Sequence, residues 1–107
     1  MTAKLLSDNE IEAKLGELKG WVYDSQARCL KKGFEFSNFI CCFGVMSQIA
    51  IWAEKLNHHP DWANVYNRLE IRLNTHDLGG VSTLDFELLE KIELAVNFQC
   101  NMEAYSI

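Results

Sequence analysis

The stretch Trp62-Ala63-Asn64-Val65-Tyr66-Asn67-Arg68-Leu69-Glu70-Ile71-Arg72-Leu73-Asn74-Thr75 decides how this chain folds. Leu69, Ile71 and Leu73 alternate with Arg68, Glu70, Arg72 and Asn74, the period of two that turns one face of a strand to a core and the other to water. Residues 62–66 form a second strand-like run, and a turn near Asn67 joins the two as a β-hairpin. Gly79-Gly80 then breaks the strand pattern.

Upstream the period changes. Phe39, Phe43, Met46, Ala50 and Ala53 recur on one helical face, and Ile40, Ile49, Trp52 and Leu56 widen it. Only Asn38, Ser47, Gln48, Glu54 and Lys55 are polar along this helix, so a second apolar face is expected to be buried against another subunit. Asn57, as a left-handed cap, and Pro60 end it. Further out, Trp21-Val22-Tyr23, the polar turn Asp24-Ser25-Gln26 and residues 30–36 read as another hairpin. Ser7-Asp8-Asn9-Glu10 has capping-box form with Leu6 and Ile11 at the staple positions, opening a helix over about residues 7–18. Ser82-Thr83-Leu84-Asp85 opens the last helix, with Phe86, Leu89, Ile92 and Val96 on its core face. The order α-β-β-α-β-β-α predicts one α+β domain over residues 1–107, a four-stranded antiparallel sheet with three helices packed on one face.

The 107 residues, 49% hydrophobic and 23% charged, suit a soluble globular chain with one core. A net charge of -5 with scattered Lys and Arg argues against direct nucleic-acid binding. The apolar run over residues 39–46 is cut by Ser47-Gln48 and reads as too short to span a membrane even with residues 49–53 added. No basic and apolar leader follows Met1, and the four cysteines show no C-x-x-C spacing, so free thiols and a cytoplasmic location are expected.

All three histidines lie in two short segments, Glu54-Lys55-Leu56-Asn57-His58-His59-Pro60-Asp61-Trp62 and Thr75-His76-Asp77. Imidazole is the side chain whose ordinary titration lies near neutrality, so this concentration marks a candidate acid/base site. A turn centred on Asn67 makes facing residue numbers add to about 134, which returns His76 beside His58, provided the register holds. Strand parity points His76 away from Leu69, Ile71 and Leu73. Glu54 and His58, four apart, share a helix face if the last turn persists, and histidines there also suit the helix's negative end. Trp62 fits a sheet-packing aromatic or the floor of a flat heterocycle, and Asp85 a helix cap or a substrate contact. Adjacent His58 and His59 do not readily ligate one ion, and no cysteine is spaced to complete a set, so no metal is expected.

At these residues the chain resembles pterin-4a-carbinolamine dehydratases over nearly its whole length. The specific core of the resemblance is Glu54-x-x-x-His58-His59-Pro60-x-Trp62-x-Asn64-Val65-Tyr66, then Leu73-x-Thr75-His76-Asp77-x-Gly79-Gly80 and Asp85. The resemblance implies removal of water from a 4a-hydroxytetrahydropterin to give the quinonoid dihydropterin, in tetrahydrobiopterin recycling, with no metal or organic cofactor. It implies catalytic roles for His58, His59 and His76 and pterin binding by Glu54 and Asp85, with Trp62 beside them. It further implies homodimers or homotetramers. In an animal chain it would also imply a partnership with a homeodomain transcription factor through the apolar helix, the main alternative to an enzyme. A scaffold on the same fold would be expected to lack the histidines that this chain keeps.

Overall fold

The computed structural model describes residues 2–99 and 102–107, and in chain order its elements are α1 (Asp8–Leu15), β1 (Val22–Asp24), β2 (Cys29–Phe36), α2 (Phe39–Leu56), β3 (Asp61–Val65), β4 (Arg68–Leu73), a 3-10 turn (His76–Leu78), α3 (Thr83–Gln99) and β5 (Met102–Tyr105). The sheet is antiparallel in the order β1-β2-β4-β3. A fifth strand, beyond the four expected, continues the β1 edge: β1 pairs with residues 29–31 of β2, and β5 with Gly33–Phe36. Four residues are too few to stand out as a periodic signal, and this strand exists through its pairing.

Leu30 faces Leu73, Phe34 faces Leu69, and Ile71 sits beside them, all fully buried on one face of the sheet. Ile11 and Leu15 of α1, Val45 and Ile49 of α2, and Leu89, Ile92 and Val96 of α3 close over that face in one hydrophobic cluster. Lys32 points into the same face, where Glu93 holds its ammonium at 2.9 Å and the Phe34 ring lies 4.7 Å away. Pairing of this kind is what permits a buried lysine.

Ser7 caps α1 in the expected capping box, but the helix ends at Leu15, short of Leu18. Asn38 caps α2, whose buried stripe is Cys42, Val45, Ile49 and Ala53. Phe39 and Phe43, which the periodicity put on one face with Ala53, are exposed with Ile40 and Ile51, while Ala53 is buried. A helix apolar nearly all round does not reveal which stripe meets the sheet. By length and composition the whole of α2 reaches what a membrane span needs, unlike the shorter run considered above, yet one side of it is packed into the core. Cys29 and Cys42 are free and buried, and burial pushes both thiols up. Cys41 departs from the expectation of free thiols in being disulfide-bonded, and Cys100 lies outside the described residues.

Gly33 is where the edge strand comes closest. A Cβ there would stand 2.6 Å from the Tyr105 ring and 2.7 Å from Ile107. Gly33→Ala is therefore expected to displace Tyr105, which stacks on Arg68 at 4.4 Å, and to lower stability by about 1–3 kcal/mol, read as a fall in urea midpoint.

Candidate active site

The site begins where α2 stops. Asn57 takes the left-handed conformation, φ 51°, and the next N–H, that of His58, closes back on the Ala53 carbonyl at 3.0 Å. This closure ties the His58 backbone to the helix end and sends the chain into Pro60 and β3.

The His58 side chain, 11% exposed, meets Asp85 with Nε2 2.6 Å from Oδ1. Asp85 has no exposed surface. Its Oδ2 accepts from the Thr75 hydroxyl at 2.8 Å and from the Ser82 backbone N–H at 2.9 Å. Since the Thr75 proton goes to Asp85, the Ser82 hydroxyl donates to Thr75 across 2.5 Å, and Ser82 Oγ in turn accepts from Leu84 N–H. Asp85 thus performs the capping task expected of it and a second one. Its other oxygen accepts from His58, which in the neutral imidazole makes Nε2 the protonated nitrogen and leaves Nδ1 without a proton. The N-terminal segment clamps this corner: Leu6 N–H donates to Val81 O, and Thr83 N–H to Lys4 O, both at 2.9 Å.

His76 arrives by a different route from the one the hairpin arithmetic suggested. Val65 pairs with Arg68 and Asp61 with Arg72, so facing numbers add to 133, one less than expected, with Tyr66-Asn67 as the turn. Ladder pairing in β4 stops at Leu73. The chain then closes a small loop, in which Thr75 N–H donates to Gly80 O at 2.8 Å and Gly79 N–H to His76 O at 3.0 Å. Gly79 sits at φ 74°, where a side chain is strained. Arg28 reaches across from the β1–β2 turn to donate to the Gly79 carbonyl at 3.2 Å. The loop leaves His76 exposed, away from the core as strand parity implied.

An open cleft of about 290 Å³ results, lined by Asn57, His58, His59, Asn74, Thr75, His76, Asp77 and Leu84. It brings His58, His59 and His76 together. Glu54 does not contact His58, as its spacing suggested; its carboxylate lies 2.6 Å from His59 Nε2, and both side chains are largely exposed, so water screens the pair. Asp85 lies beneath the cleft behind His58, with both oxygens engaged inside the protein. Trp62 does not line the cleft, because on β3 it stands opposite Ile71 and packs against the core. Thr75, quoted only as part of the histidine segment and motif, and Asn74 were given no role from the sequence; a threonine at the end of an apolar strand, next to a histidine, was the available signal. Among the described residues no group of three His, Cys, Asp or Glu side chains is placed to hold a metal ion.

Fold and cleft define an α+β domain that carries imidazoles, one of them braced by a buried carboxylate, at the end of an antiparallel sheet. Residues 4–95 match the family model described as pterin 4 alpha carbinolamine dehydratase, and the chain belongs to that family. It is 50% identical over 95 residues to a protein of Rhizobium etli, covering 89% of this chain and 94% of that one. It is 42% identical over 93 residues to one of Prochlorococcus marinus, covering 87% and 96%. Both carry the name pterin-4-alpha-carbinolamine dehydratase, that of a hydro-lyase, and the chain is an enzyme of that class. A crystal structure of a transcriptional coactivator/pterin dehydratase from Brucella melitensis superposes with a TM-score of 0.84 at 36% identity, over 87% of this chain and 99% of that one.

Proposed function

We propose that this protein removes water from a 4a-hydroxytetrahydropterin, giving the quinonoid dihydropterin for tetrahydrobiopterin recycling, by histidine acid/base catalysis. The observation that carries the reading is His58, braced on the buried Asp85, sharing one cleft with His76 and His59. The C4a–O bond breaks as the hydroxyl leaves with an added proton, N5 gives up its proton, and the C4a=N5 double bond forms. One group must donate and another accept near neutral pH. In this reading Nδ1 of His58 takes the N5 proton, His76 protonates the departing hydroxyl, and His59, steadied by Glu54, holds the substrate and shares the acid role. Asp85 acts through His58 rather than on the pterin. No metal takes part in these steps. Ultraviolet-monitored decay of the carbinolamine should therefore be accelerated by the protein equally with and without a chelator. Equal decay with and without protein would sink the reading.

The functional unit in this reading is a homodimer or homotetramer in the cytoplasm. Phe39, Phe43, Ile51 and Ile40, the last 80% exposed, form an apolar strip along α2 that a second copy would cover. Light scattering at micromolar concentration should show an oligomer, and Ile40→Asp should shift it to a smaller species. A strictly monomeric wild type would overturn this part.

A further inference from the structure

The histidine cleft has a neighbour. A smaller hollow of about 130 Å³, lined by Ala27, Cys29, Asp61, Arg72 and Asn74, lies on the outer face of the sheet. Asn74 lines both spaces. At well under the ~300 Å³ typical of a whole small-molecule site, the hollow fits a substituent rather than a ligand. Its walls are tied to those of the histidine cleft. Asp24 Oδ1 accepts from the Gln26 and Ala27 N–H groups, fixing the β1–β2 turn, and Arg28 of that turn donates to Gly79 in the loop of His76.

Its chemistry is mixed. Asp61 and Arg72 are partners across β3 and β4, so a carboxylate that only accepts stands beside a guanidinium that only donates. Arg72 also has Glu70 at 4.0 Å. Cys29 adds a buried wall, its thiol held neutral by burial. An anionic group entering here meets Arg72 but also the Asp61 carboxylate, whereas hydroxyl groups, which donate and accept, satisfy both partners.

Resting on the dehydratase reading, we infer that this hollow receives the substituent on pterin C6, and that Asp61 and Arg72 select a short, neutral, polyhydroxylated chain. The geometry of the substrate supports the connection. C6 is bonded to N5, the atom that loses its proton, so whatever C6 carries emerges two bonds from C4a and must leave the histidine cleft at the reacting end. Asn74, common to both spaces, marks a way out on that side.

The test compares 4a-hydroxytetrahydropterins bearing a 6-methyl group, a 6-(1,2-dihydroxypropyl) chain, or a C6 chain ending in a carboxylate. Wild type should favour the dihydroxypropyl compound over the methyl one by about three- to tenfold in kcat/KM, carried by KM, the scale of one or two half-exposed hydrogen bonds. Asp61→Ala and Arg72→Ala should each bring that ratio toward one and leave the methyl compound's kcat/KM unchanged, which also shows that the variants fold. Equal wild-type rates on the two neutral substrates, a ratio that survives both substitutions, or a preference for the carboxylate chain would overturn the subsite and leave the dehydratase reading standing. No turnover of any of the three compounds would overturn both.

Discussion

His58→Ala and His76→Ala are each expected to lower the turnover of 4a-hydroxytetrahydropterin by at least about tenfold, and by up to ~10⁴-fold if each carries a full proton transfer. The two imidazoles differ in support. His58 is nearly enclosed and held at both ends, by its backbone N–H on Ala53 and its Nε2 on Asp85. His76 is exposed on a loop closed by Gly79 and Gly80, so its replacement removes a proton carrier with little effect on the core. The double variant should lose less than the product of the two single losses, because groups that act as a unit are not additive. Stopped-flow decay of the carbinolamine reads all three. A double variant with unimpaired turnover, or one whose loss equals the full product, would mean that the two histidines do not share one reaction.

Asp85→Asn should reduce turnover by about 10²- to 10⁴-fold with little change in fold. The reason lies in the hydrogen-bond directions around the carboxylate. Thr75 Oγ1 and Ser82 N–H both donate to Oδ2, so an amide must place its oxygen there and turn its NH₂ toward His58. Nε2 of His58 would then have to accept, and the imidazole would shift to the Nδ1–H tautomer, which puts a proton on the nitrogen meant to receive one. Nitrogen-15 shifts of the His58 ring should report that exchange, which a purely structural role for Asp85 would not produce. Asp85→Ala should show the same loss and in addition cost about 2–4 kcal/mol, because buried donors on Thr75, Ser82 and His58 lose their acceptor. An Asp85→Asn enzyme with wild-type turnover would remove Asp85 from the mechanism.

What the sequence by itself determined is local or repetitive. Alternation at Leu69, Ile71 and Leu73, the caps at Ser7 and Asn57, and the stop at Pro60 each act within a few residues, and all stand in the structure. The two histidine segments could be recognised as a family pattern for the same reason, since they are short and contiguous. Choices among near-equal partners were settled only by tertiary structure. Glu54 is close in sequence to both His58 and His59; it pairs with His59 because Asp85, 27 residues further along, claims His58 from inside the fold. The inward stripe of α2 is Cys42, Val45, Ile49 and Ala53, although Phe39 and Phe43 offer larger apolar side chains, because packing against α3 and the sheet sets the rotation of a helix apolar on nearly every side. β5 exists because Gly33 leaves room for Tyr105 to lie across it. His76 reaches the cleft through a loop closed from Thr75 to Gly80, where the hairpin register alone would have set it one residue away from His58. For Asp85, α2 and β5 the deciding energy comes from burial and hydrogen bonding between groups far apart in the chain, and no local pattern encodes that.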